Sequence, residues 1–137
     1  MGVSHLIILN NLNISALLRA EQSLQKAIKL LEAVNTDEEE LLRDGCIQRF
    51  EYTFELCWKT LKKVLSYRGI YASSPREIFR LSAKESLIGD PNIWFSFLEK
   101  RNMTTHIYEA GVAEEVYDVI PEFLISLATL INKLKQL

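Results

Sequence analysis

Between residues 47 and 64 the apolar side chains Ile47, Phe50, Phe54, Cys57, Leu61 and Val64 step by three and four. That spacing lines them along one face of an α-helix and suits no strand. The same rhythm returns elsewhere. Leu17, Leu24 and Leu31 recur every seven residues, each followed three later by Ala20, Ala27 or Val34. Small residues at the second position of that seam let a neighbouring helix approach closely. Near the C-terminus Val112, Val116, Val119, Phe123, Leu127, Leu130 and Leu134 keep the pattern across Pro121, which reads as a kink within one helix. No alternating apolar pattern of strand type interrupts the series.

Capping residues divide the chain. Asn13 or Ser15 can open the first helix, and the acidic stretch after Val34 closes it or supplies the first turn of the next. Gly69 suits a left-handed position after the second helix. Ser74, Pro75 and Glu77 form a capping box that opens a short helix ending by Gly89, and Asp90-Pro91 opens a fourth running toward Arg101. A break is expected from about Thr104 to Gly111. The result is an all-α, antiparallel up-and-down bundle of four long helices and one short one. A length of 137 residues fits one domain, 1–137, with residues 1–11 poorly patterned.

Composition narrows the function. Apolar residues are 48% and charged residues 25% of the chain, so a core forms without disulfide or metal. The formal charge of −2 gives no global positive field, and any anion site must be local. Cys46 and Cys57 lie eleven residues apart on one helix, about 16 Å along its axis, and read as reduced core thiols. With only His5 and His106 available, no Cys/His zinc site is expected, and His5 has no assigned role. No metal or cofactor is expected. The four apolar residues Leu6–Leu9 are too few for a signal or a membrane span, so a cytoplasmic location is expected. The chain has no Gly-Ser dipeptide or Gly-rich phosphate loop, which argues against its being a nucleotidyltransferase itself.

Chemistry concentrates in Arg101-Asn102-Met103-Thr104-Thr105-His106-Ile107-Tyr108, with Trp94 and Lys100 on the approach. Arg101 offers a fixed charge and a fork for phosphate. His106 can take and give a proton, Asn102 can orient either, and Tyr108 can donate a hydrogen bond. Two readings stand. These residues form a metal-independent phosphodiester-cleaving site, or they are a surface pair at a helix end. Five residues turn a continuous helix by roughly 500°, leaving Arg101 and His106 about 140° apart. A joint site therefore needs the helix to end or bend between them, or a second subunit to complete it.

The arrangement Arg-x4-His-x-Tyr at Arg101, His106 and Tyr108 resembles the signature of the HEPN superfamily, the higher eukaryote and prokaryote nucleotide-binding helical domains. With Asn102, Trp94, Glu109, the run from Phe50 to Lys59 and the turn Ser74–Glu77, the chain is similar to the branch of nucleotidyltransferase substrate-binding proteins from about Leu17 to Leu134. The resemblance implies a helical bundle, a homodimer and a separate minimal nucleotidyltransferase partner. In active members it implies metal-independent cleavage of RNA, with Arg101 and His106 catalytic and Asn102 and Tyr108 supporting. For the toxin–antitoxin branch it implies Tyr108 as an AMP acceptor. The alternative is a non-catalytic subunit that presents substrate, RNA or a nucleotide, to the nucleotidyltransferase.

Other features read as scaffold. Glu55 and Lys59 are an i,i+4 pair on the outer face of the second helix. Lys59, Lys62, Lys63 and Arg68, or Arg76, Arg80 and Lys84, either flank nucleic acid or are solvated faces, and the interspersed acids favour the latter. Most tyrosines and tryptophans read as core, with Tyr52 and Trp58 off the main seam as candidates for a subunit interface.

Overall fold

The structure is a computed structural model that describes residues 12–34 and 37–137, and His5 and the expected N-terminal segment lie outside them. It consists of α1 (Ser15–Ala33), α2 (Glu39–Tyr67), α3 (Pro75–Lys84), α4 (Pro91–Met103), a 3-10 turn (Thr104–His106) and α5 (Val112–Lys135). No strand occurs among the described residues. The architecture is the expected up-and-down helical bundle.

α2 is the spine, about 43 Å long at 1.5 Å per residue, and it touches all four other helices. Its stripe from Ile47 to Val64 is at most 2% exposed. Rings meet there: Phe123 of α5 stands edge-on to Phe50 of α2 and to Phe97 of α4, at 5.0 and 5.3 Å between centroids. Trp94 stacks on Phe79 of α3 at 5.4 Å. Trp94 thus belongs to the core and not to the approach of a site. The tyrosines read as core depart from expectation too, because Tyr67 and Tyr117 are only half-buried and Tyr71 and Tyr108 are exposed, while Tyr52, read as off the main seam, is exposed as well.

The caps explain the boundaries. Ser74 Oγ accepts from the Glu77 amide at 3.2 Å, and Asp90 Oδ1 accepts from the Asn92 amide at 2.9 Å. At the start of α1 the cap position is Ile14, which has no capping side chain, and Asn13 reaches past it to accept from the Ser15 amide at 2.9 Å. Glu39 and Glu40 occupy the first turn of α2, where negative charge suits the helix dipole. α2 ends in a Schellman turn: Gly69, at φ 77°, donates to Ser66 O, and Ile70 donates to Leu65 O. α3 ends identically at Ser86, whose φ is 61° although it carries a Cβ, with Leu87 donating to Ser82 O at 2.8 Å. α5 is continuous through Pro121, which stands at an exposed position and withholds one backbone donor from the helix.

Candidate functional site

α4 stops where a joint site requires it to. Thr104 Oγ1 donates to the Arg101 carbonyl at 2.7 Å and Thr105 Oγ1 to the Asn102 carbonyl at 3.1 Å. The Arg101 carbonyl also accepts from the Thr104 amide, so side chain and backbone together close the helix end. The chain then tightens into the 3-10 turn, and Glu109 N donates to His106 O at 2.9 Å before Gly111, at φ 81°, leads into α5. Arg101 therefore sits on the last α-helical turn and His106 beyond it. Lys100 Nζ holds this end of α4 to Glu115 of α5 at 2.6 Å.

Arg101 is half-buried. Its Nε, shielded from water, lies 2.8 Å from Glu55 Oε1 without aligned hydrogen-bond geometry, so the contact is ionic. The second carboxylate oxygen of Glu55 accepts from Trp58 Nε1 at 3.0 Å. Glu55 is thus a bracket between α2 and α4. The expected pairing with Lys59 is absent; Lys59 Nζ instead lies 5.8 Å from the centre of the Trp58 ring. The reason is packing: α4 covers the flank of α2 that carries Glu55, and the nearest cation on that flank is a guanidinium. Arg101 and Glu55 line a shallow groove of about 370 Å³ with Gln48, Glu51, Tyr52, Leu56 and Lys59.

The His106 side chain is 65% exposed, and its Nδ1 lies 3.2 Å from Glu109 Oε1. A carboxylate there favours the tautomer protonated on Nδ1, which leaves the Nε2 lone pair facing outward. Asn102 is exposed, and Tyr108 is 99% exposed. Tyr108 lines a second hollow with Glu40, Arg43 and Glu114 rather than the groove of Arg101. Among the described residues no hydrogen bond or ion pair joins Arg101 to His106, Asn102 or Tyr108 within the chain. Nor is any group of three His, Cys, Asp or Glu side chains placed among them to hold a metal ion.

The family model described as nucleotidyltransferase substrate binding protein like matches residues 12–136. The chain belongs to this family. It is the HEPN-like branch that Arg101, His106 and Tyr108 resemble. A Haemophilus influenzae relative named probable ribonuclease HepT is 35% identical over 97 residues, spanning 67% of this chain and 66% of that protein. A solved Haemophilus influenzae structure, described as revealing the fold of a substrate-binding domain of a nucleotidyltransferase, matches with a TM-score of 0.80. It is 28% identical and covers 90% of this chain and 99% of its own. A Thermus thermophilus crystal structure matches at 0.71 and 27% identity, covering 84% and 98%.

The roles of two residues of the site in this nucleotidyltransferase substrate-binding family member escaped the sequence reading, which placed Glu109 only within the family resemblance and Glu55 only beside Lys59. Glu109 was legible in principle, since His106 and Glu109 stand at i,i+3. Glu55 was not, because its partner lies forty-six residues away on another helix. The flanking lysines and arginines settle mostly as solvated faces: Lys59, Lys62, Lys63, Arg76, Arg80 and Lys84 are exposed or half-exposed, while Arg68 is tied to Glu85 at 3.4 Å. No helix among the described residues is long and apolar enough to cross a membrane.

Proposed function

We propose that this chain is a metal-independent endoribonuclease, the toxin of a toxin–antitoxin pair whose other member is a minimal nucleotidyltransferase. The observation that carries the reading is the end of α4 between Arg101 and His106, which turns the imidazole out to solvent with Glu109 behind it. In the proposed reaction His106 Nε2 takes the proton of a ribose 2′-hydroxyl. The 2′-oxygen attacks the adjacent phosphorus, the bond from phosphorus to the 5′-oxygen breaks, and the leaving oxygen is protonated by solvent. The products are a 2′,3′-cyclic phosphate and a 5′-hydroxyl. Arg101 stabilises the charge that develops on the phosphate, and Asn102 orients it. Because the two catalytic side chains make no contact within one chain, the reading assigns the complete site to two protomers of a homodimer.

Tyr108 is the proposed control point. Its exposure suits an acceptor for AMP transferred from ATP by the nucleotidyltransferase, with pyrophosphate leaving, and the added phosphate would bring bulk and negative charge beside His106, two residues away in the chain. Weighing the chain intact after co-expression with its neighbouring nucleotidyltransferase tests this. A mass increase of one AMP group that disappears in Tyr108→Phe is expected; an unshifted mass, or a shift that persists in the variant, overturns it.

The family description and the solved Haemophilus influenzae structure favour a second reading, a non-catalytic subunit that binds substrate for the nucleotidyltransferase. Incubating the pure protein with RNA in EDTA, beside His106→Ala, separates the two. Cleavage by the wild type and none by the variant supports the ribonuclease; intact RNA in both supports the substrate-binding subunit.

A further inference from the structure

Tyr52 stands between two hollows. On one side is the groove of Arg101. On the other is a hollow of about 210 Å³ between α1 and α2, floored by Ala16 and Ala20 and carrying Arg19, Ser23 and Arg49. Small residues on α1 make the room, because a larger side chain at 16 or 20 would fill it.

The charge in this hollow is unusual for the molecule. Arg49 Nε donates to Ser23 Oγ at 3.0 Å, and its Nη1 donates to the Gly45 carbonyl at 3.1 Å. Both acceptors are neutral, so they fix the guanidinium in place without cancelling its charge. Arg19 enters from the facing helix and has no ion-pair partner among the described residues. No Asp or Glu lines the hollow. In a chain with 18 acidic and 16 basic side chains, two unneutralised arginines in one concavity are a local reversal of sign. The Arg101 groove, by contrast, contains Glu51 and Glu55.

We propose that the hollow formed by Arg19, Arg49 and Tyr52 is a subsite for single-stranded RNA. The two guanidiniums grip a backbone phosphate, and Tyr52, which is 59% exposed, offers its ring to an unpaired base. A paired base cannot reach a ring in this way, which selects single strands. The assignment rests on reading the Arg101 groove as an RNA site, because Tyr52 lines both hollows and makes them one continuous track. A pre-ordered arginine with its charge intact suits binding, whereas the Glu55-bracketed Arg101 suits a step in which charge changes.

The test is binding, kept apart from cleavage. A fluorescent 2′-O-methyl oligoribonucleotide, which lacks the nucleophile, is titrated with the full-length protein at several salt concentrations. Arg19→Gln/Arg49→Gln should weaken binding at least about tenfold. The two arginines hold one phosphate between them, so the double variant should reduce the slope of log K against log salt by about 0.7. Tyr52→Ala should weaken binding about tenfold with an unchanged slope. Arg49→Lys keeps the charge and should retain its share of the slope, with a thermal melt confirming that each variant folds. A wild type that does not bind, or a double variant with unchanged affinity and slope, overturns the proposal. So does AMP that competes as well as the oligonucleotide, which would make the hollow a mononucleotide site. Binding that needs Arg19 and Arg49 without any cleavage of ordinary RNA leaves the subsite standing and removes the ribonuclease. Cleavage with binding indifferent to both arginines does the reverse.

Discussion

Replacing Glu55 with glutamine probes how Arg101 is held. The change keeps the side chain's shape and a carbonyl that accepts from Trp58, but removes the negative charge 2.8 Å from Arg101 Nε. At that separation the bare attraction is about 6 kcal/mol at an effective dielectric of 20, and about 1.5 kcal/mol in water. The two side chains are 30% and 29% exposed, so screening and the ordering of both chains reduce the net loss to about 1 kcal/mol. With about 2.1 cal/mol/K of unfolding entropy per residue, the melting temperature should fall by about 3–4 °C. The kinetic effect should divide. Untethered, Arg101 holds the reacting phosphate less well, and kcat should fall about tenfold, less than for loss of the guanidinium itself. KM for RNA should fall as well, because a negative charge has left the groove. Thermal melts and steady-state cleavage on one preparation read all three. An unchanged melting temperature together with an unchanged kcat would show that Glu55 does not position Arg101.

Ser86 holds a left-handed φ of 61° at the end of α3, so Ser86→Gly should stabilise the fold by about 0.5–1 kcal/mol, read in urea melts; a loss of stability would contradict the assigned turn. Burial pushes the Cys57 thiol well above its ordinary range, and Cys46 shifts the same way. The unfolded thiol ionises near pH 8.5 while the folded Cys57 keeps its proton, so the unfolded state binds fewer protons and stability falls as pH rises beyond that point. The slope from Cys57 should be about 1.4 kcal/mol per pH unit, and Cys57→Ala should remove it; an equal slope in the variant refutes the cause.

The local parts of this fold were readable because their causes are local. The caps at Ser74 and Asp90, the Gly69 turn and the stripe from Ile47 to Val64 each depend on residues within a turn or two of one another, and each stands where its spacing puts it. The break expected from about Thr104 to Gly111 stands there too, with the α-helix ending at Met103. What escaped depends on which flank of a helix a third element covers. Glu55 read as surface because one stripe of α2 accounts for its core, yet α4 also covers the flank beside it. Ser86 escaped because residue preference points to Gly89, whereas the buried Leu87 fixes where α3 turns. Arg19 and Arg49 share a hollow only because the small residues of α1 let it lie close against α2.

The chemistry of the RNA ends tests the central claim most directly. Pure protein is incubated with a single-stranded RNA and with DNA of the same sequence, both in EDTA, and the new termini are identified by mass. The expected result is RNA fragments ending in 2′,3′-cyclic phosphate and beginning with 5′-hydroxyl, with the DNA intact. His106→Ala should make none, and Arg101→Ala should make them slower by about 10²–10³. Fragments that end in 3′-hydroxyl, cleavage abolished by EDTA, or wild-type cleavage by His106→Ala would contradict it.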